Sequence, residues 1–311
     1  MMFTDLVRGI ERIRAGVAAE WAIYIQFTAT GEEIRINADA AMDTMSVIKI
    51  PLLVTLYRLA EVGRVNLDQR ITLETRHKRF GTGSLRSLTD GLTLTLRDAA
   101  MLMIIQSDNT ATDICFEHVG GPAVVTETMQ QLGLGSIKAV GTAFDWFSAL
   151  AASMDPALGA LSPEALFRTG YPSMTADEAY RARERFHFEV QTPYGVANAA
   201  DIGRLLGMIW NGACAGPDSC AAIQAMLRLQ QSRARIPKYL INTSVANKTG
   251  DFDPFIANDV GVIEPTGAPP ITACFFAMRH RGLWPNLEDA IARMSEKIWE
   301  YGLHQAGSSG T

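Results

Sequence analysis

Read for the spacing of its apolar positions, the chain changes character several times. Its first residues, MMFTDLVRGIERIRAGVAAEW, set apolar positions at helical spacing among Asp5, Arg8, Glu11, Arg12 and Arg14, which predicts a packed amphipathic helix. Glu20–Phe27 (EWAIYIQF) and Glu32–Asp39 (EEIRINAD) then alternate or run apolar around Thr30-Gly31, the pattern of a hairpin. Helical spacing dominates the middle, over Val47–Val62, Leu96–Gln106, Ala111–His118, Pro122–Leu132, Ala197–Trp210 and Ser219–Leu229. Between about Gly141 and Glu189 the pattern dissolves into a mixture of Ser, Pro, Gly, aromatic and charged residues, which reads as a long loop. The end returns to short strands in SVANKTG, NDVGVIEP and PITACFFAM, and closes with an amphipathic helix from Asn286 to about Tyr301.

Strands at both ends and helices between them predict an α/β (α+β) fold: one sheet assembled from the two termini, with an all-helical domain inserted. The boundaries fall at 1–44 together with 236–311 for the sheet domain and at 45–235 for the helical one, the latter including the loop at about 141–189. A chain of 311 residues, 48% of them hydrophobic, can bury the core this requires.

Charge and composition then remove several functions. A formal net charge of -5 with no Lys/Arg-rich run gives nucleic acid no phosphate-binding footprint. The longest apolar run, Val47–Leu56, is too short for a bilayer and contains Lys49, and the N-terminal segment lacks the basic head and uninterrupted apolar stretch of an export signal. No membrane partner and a cytoplasmic location are therefore expected. Cys115, Cys214, Cys220 and Cys274 lack CxxC spacing and read as buried thiols, Cys214 and Cys220 being able to approach across a loop. His77, His118, His187, His280 and His304 form no ligand-spaced cluster, so neither metal nor cofactor is expected. The expected partner is a small-molecule substrate.

The candidate chemistry begins in MSVIKIPLL, where Ser46 and Lys49 stand three apart at the head of an apolar run. One helical turn places the two side chains on one face, about 5–6 Å apart at Cβ. Alone, S-x-x-K is an ordinary helix start, serine being a favoured N-cap. Here Ile48, Ile50, Pro51, Leu52, Leu53, Val54 and Leu56 make the helix apolar on most faces, so Lys49 needs partners or a task. Desolvation and the helix's positive end both favour its neutral form, a base for the hydroxyl. That activates a serine without histidine. Further on, Ser107-Asp108-Asn109 breaks one apolar helix before the next, and Lys248-Thr249-Gly250 ends a predicted strand. Separately these are a capping turn and a strand end.

Together and in this order, S-x-x-K, S-D-N and K-T-G resemble the class A β-lactamases and penicillin-binding proteins, the penicillin-recognising serine hydrolases. FGTGSLRSLTDGLTLTLRDAAMLMIIQSDNTATD and RIPKYLINTSVANKTGDFDPFIANDVGVIEP are similar to the family's flanking segments, and the resemblance covers most of the chain except about Gly141 to Glu189. It implies a β-lactamase-like fold with an antiparallel sheet. It also implies that Ser46 is acylated, Lys49 takes its proton, and Ser107 relays a proton to the leaving nitrogen. Asn109 would bind a substrate amide and Asp108 would hold the turn. Lys248 would supply positive potential near Ser107, and Thr249 a hydroxyl for a substrate carboxylate. Gly250 would let substrate lie against the strand, and the backbone N–H groups of Ser46 and Asp251 would form the oxyanion hole.

Two features depart from the family. No E-x-x-L-N is found, and the interval that should hold it, up to Gln191-Thr192-Pro193, is longer by several tens of residues. Asp145, Glu164, Glu178, Glu184 and Glu189 are candidates for the missing deacylating glutamate, and pattern selects none of them. The residue after K-T-G is Asp251, whose charge opposes a nearby substrate anion. With the cytoplasmic expectation, this turns attention from antibiotics toward a metabolite. The leading reading is a hydrolase of an amide, lactam or ester. An acyl transferase or peptidase is the alternative enzyme, and a slowly deacylating sensor or binding protein the non-enzyme. The aromatic residues Phe144, Trp146, Phe147, Phe167, Tyr171, Tyr180, Phe186 and Phe188 of the long interval are read either as a lid or as a small satellite core.

Overall fold

A computed structural model describes residues 2–308. Contacts divide it into two compact units, one comprising the chain up to Val47, Leu134–Ile137 and the chain from Ala197 onward, the other Ile48–Gly133 and Lys138–Val196.

The first unit is built on a five-stranded sheet drawn from both ends of the chain. Its spatial order is Glu33–Ile36, Glu20–Phe27, Ile271–Met278, Ile256–Pro265, Thr243–Phe252. Every neighbouring pair is antiparallel. Period-two alternation sends Trp21, Ile23, Ile25 and Phe27 to one face, where they meet Leu6 and Ile10 of α1 (Phe3–Ala15) and Leu287, Ile291, Met294 and Ile298 of the C-terminal helix Trp284–Ser308. Tyr24, on the opposite face, lies against Gly203 of the helix Ala199–Asn211, where a Cβ would overlap the tyrosine ring. That helix also buries Ile202, Leu205, Leu206 and Ile209. Residues 197–235, which the sequence reading groups with the helices, are thus grouped by contacts with the sheet. Cys214 and Cys220 are buried thiols, not joined by a disulfide, whose Sγ atoms stand 3.6 Å apart.

The second unit is helical. Lys49–Glu61, Leu96–Ile105, Asn109–Val119 and Pro122–Gln131 follow the predicted segments within a few residues at each end. Between Gly141 and Glu189 the expected loop is absent. In its place are helices at Ala143–Met154, Pro163–Thr169 and Ala176–Arg185, with tighter and wider turns at Pro156–Ala160 and Phe186–Val190. Each of the three helices has a side-chain cap: Thr142 with Asp145, Ser162 ahead of Pro163, and Thr175 with Glu178. Ala151, Leu158 and Leu166 form a small core there, joined by Phe80, Phe144, Leu161 and Tyr171. Among the described residues, no helix is long and apolar enough to cross a membrane.

Candidate active site

Three of the motif residues meet in the helical unit. Lys49 opens the helix Lys49–Glu61 and is wholly buried. Its Nζ donates to the Ser107 carbonyl at 2.8 Å and to Asn109 Oδ1 at 2.8 Å, and lies 3.1 Å from Ser107 Oγ. The two carbonyl-type oxygens take one amine hydrogen each.

The Ser107 turn is held by its surroundings. Ser107 sits at φ 55°, a left-handed conformation uncommon for a non-glycine residue, and its carbonyl also accepts from Thr82 Oγ1 at 2.7 Å. Asp108 caps the helix Asn109–Val119, accepting from the backbone N–H groups of Ala111 and Leu85, each at 2.9 Å. Gly83, at φ 110°, passes so close that a Cβ there would collide with this carboxylate. Asn109 donates from Nδ2 to the Phe80 carbonyl at 2.9 Å. The ring of Phe80 packs on Tyr171, with centroids 4.7 Å apart, and on Phe147 and Phe167. Phe144, Phe147, Phe167 and Tyr171 of the long interval therefore belong to a satellite core that reaches the residue buttressing Asn109.

The other motif residues lie in the sheet unit. Ser46 is half-buried in the tight turn Met45–Ile48, directly ahead of the helix that Lys49 begins. Met45 is at φ 43°, with its N–H on Asp43 Oδ1 at 2.9 Å. Asn258 Nδ2 pins the carbonyls of Asp43 and Thr44 at 2.8 and 3.2 Å. Gly250 runs against this turn: a Cβ there would overlap the Thr44 carbonyl and come within 3.0 Å of Ser46 N and 3.1 Å of Val47 N. The glycine of K-T-G is thus required by close backbone approach, since its own φ is ordinary.

Lys248 and Thr249 are buried and Asp251 is exposed, all on the strand Thr243–Phe252. Burial lowers the Lys248 amine to about 8, against the pull of Asp251 and Asp259. Asp259 is itself raised to about 6 by burial, although Asn247 donates to it at 2.8 Å. Asp251 forms an ion pair with Arg235, which also reaches Glu288 at 3.2 Å, donates to the Asn258 carbonyl at 2.8 Å and lies 5.1 Å from the Trp284 ring centre.

Of the candidate carboxylates in the long interval, Asp145 and Glu178 are committed to capping boxes and Glu164 pairs with Arg168. Glu189 is exposed. The sequence reading missed Asp113, Arg79 and Arg235. Asp113 is buried, accepts from Arg79 Nε at 2.5 Å and from the N–H groups of Ala143 and Phe144 at 2.6 and 2.9 Å, and so fastens the start of the long interval to the S-D-N helix. Burial raises its carboxyl; Arg79 and the two N–H groups oppose the rise. A carboxylate four residues past Asn109 on a buried helix was the available signal. Arg235 carried none. Among the described residues, no group of three or more His, Cys, Asp and Glu side chains is arranged to hold a metal ion.

The architecture is that of class A β-lactamases. A beta-lactamase from Sphaerobacter thermophilus aligns over 97% of this chain and 98% of its own with a TM-score of 0.76 at 24% identity. An ancestral class A beta-lactamase aligns over 95% and 99% with a TM-score of 0.75 at 19% identity. A sequence model of the beta-lactamase enzyme family matches residues 5–302, and the chain belongs to that family. Beta-lactamase PSE-4 of Pseudomonas aeruginosa is 29% identical over 132 residues, 42% of this chain and 45% of its own. Beta-lactamase L2 of Stenotrophomonas maltophilia is 29% identical over 121 residues, 39% and 40% of the two chains. The matched stretch spans less than half the length of these curated relatives.

Proposed function

We propose that the protein is a β-lactamase-like serine hydrolase that cleaves an amide, lactam or ester through an acyl-enzyme on Ser46. Ser46 Oγ attacks the carbonyl carbon as Lys49 takes its proton. The oxyanion is held by the backbone N–H groups of Ser46 and Asp251. The Lys49 ammonium returns that proton through the Ser107 hydroxyl to the leaving group as its bond to the acyl carbon breaks, and water then attacks the acyl carbon, releasing the acid while its proton restores the Ser46 hydroxyl. Lys248 supplies positive potential, and Thr249 and the second amide hydrogen of Asn109 orient the substrate. The observation that carries this reading is the buried Lys49 amine bonded to both Ser107 and Asn109. A buried amine one helical turn from a serine is the arrangement that activates a hydroxyl without histidine. Screening nitrocefin, p-nitrophenyl esters and small lactams tests it: turnover of at least one class, lost in Lys49→Met, is expected, and undiminished turnover in that variant would contradict it.

Two further outcomes follow. Lys248 must be charged to act as proposed, so kcat/KM should fall as pH rises through about 8, the value to which burial lowers its amine. Stability should respond in the opposite sense. Between about 8 and the ordinary 10.5 the unfolded chain binds the proton more tightly, so Lys248's contribution to stability grows with pH across that window and is lost below it. Lys248→Arg should move the basic limb of the activity profile upward; an unmoved limb assigns it to another group.

Gly250→Ala should lower kcat by about 10²–10³, since its Cβ forces the Ser46 turn from the strand that carries the second oxyanion donor. Turnover within a factor of about three of the parent would mean that this contact yields without cost.

A further inference from the structure

We propose that Asp251 is a specificity determinant, selecting a substrate whose group beside Thr249 is cationic or uncharged and rejecting one that carries an anion there. The inference rests on the acyl-serine reading and concerns the strand Thr243–Phe252. Residues two apart on a strand share a face, so Thr249 and Asp251 point the same way.

The charges on this strand are layered by depth. Lys248 is wholly buried and Thr249 is 4% exposed, whereas the Asp251 side chain is 42% exposed. The nearest guanidinium, Arg235, lies beneath that carboxylate, with its own side chain only 2% exposed. It is bonded to Asp251, to Glu288 and to the Asn258 carbonyl, with Trp284 against its face. One guanidinium therefore serves two carboxylates, and the outermost of the three groups is an acid. A second exposed carboxylate, Asp253, follows two residues on in the hairpin turn.

A substrate anion accepting from the Thr249 hydroxyl would have to settle beside Asp251 without reaching Arg235. The protein's own carboxylate already holds the arginine's outward side. A substrate cation meets the opposite situation, because the exposed edge of Asp251 turns its negative charge toward it. Discrimination of this kind comes as much from the repelled partner as from the attracted one.

The test uses three phenyl acetates that differ only in a meta substituent: trimethylammonium, methyl or carboxylate. Rates are taken as the wild-type value less that of Ser46→Ala, each normalised to the ester's own reaction with hydroxide. At low salt the cationic ester should exceed the anionic one by about 10-fold or more in kcat/KM, the methyl ester falling between, and the gap should narrow in 0.5 M NaCl. Asp251→Asn should bring the cationic and anionic esters within about 3-fold of each other. An anionic ester turned over as well as the cationic one by wild type, or an unchanged ratio in Asp251→Asn, overturns the assignment while leaving acyl-serine chemistry standing. Loss of all Ser46-dependent turnover of the methyl ester overturns the parent reading and this one with it. The wild-type ratio decides the matter even if the variant folds poorly.

Discussion

Ser46→Ala should reduce turnover of the best substrate found by on the order of 10⁴-fold or more, while its thermal midpoint stays within about 2 °C of the parent. Removing a nucleophile removes the covalent route altogether, and the rate that survives is what positioning and the oxyanion donors give to direct attack by water. The fold should tolerate the change. Ser46 is half-buried, and the turn that presents it is fixed by other groups: Asn258 on the carbonyls of Asp43 and Thr44, and Asp43 on the Met45 N–H. Steady-state kinetics beside calorimetry checks both halves. A variant with the parent's rate refutes the role of Ser46, and one that loses both rate and fold shows that the hydroxyl holds the turn.

Asp113→Ala should cost about 3–5 kcal/mol of stability, a fall in thermal midpoint on the order of 10 °C. The deletion strands three donors at once: the Arg79 Nε and the N–H groups of Ala143 and Phe144. Arg79 is little exposed and cannot simply turn to water. The loss should also spread toward Asn109, because the helix Ala143–Met154 carries Phe147 onto Phe80, whose carbonyl holds the Asn109 amide. Asp113→Asn keeps an acceptor for part of this network and should lose roughly half as much. Denaturant unfolding of both variants is the check. An Asp113→Ala protein within 1 kcal/mol of the parent would mean that the long interval is not fastened there.

Much of this was legible in the sequence, and the exceptions have physical causes. The hairpin pattern around Thr30-Gly31 and the apolar runs near Cys274 identified the strands of the sheet, and 3.6-residue spacing located Lys49–Glu61 and its neighbours. The strand expected over Glu32–Asp39 stops at Ile36, because Asn37 turns to φ 47° and donates to the Trp21 carbonyl. The C-terminal helix begins at Trp284 and outlasts its prediction, to Ser308. The composition of the long interval reads as a loop, whereas its punctuation marks helices. Thr-x-x-Asp at 142, Ser-Pro at 162 and Thr-x-x-Glu at 175 are helix starts, and each one caps a helix.

At the site, motif spacing picked out Lys49, Ser107 and Asn109, which meet in one hydrogen-bonded group. The ion pair under Asp251 was invisible because Arg235 is distant in sequence and its neighbours, RARIPKYL, suggest only a polar segment.

The most direct test of the acyl-serine account is intact-protein mass spectrometry during turnover, with peptide mapping of any adduct. A species heavier by the acyl group, mapped to the Ser46 peptide, should rise within the first turnover and decay to free protein as product accumulates. Product accumulating with no adduct on that peptide, or an adduct that never decays, would contradict a hydrolase that works through Ser46.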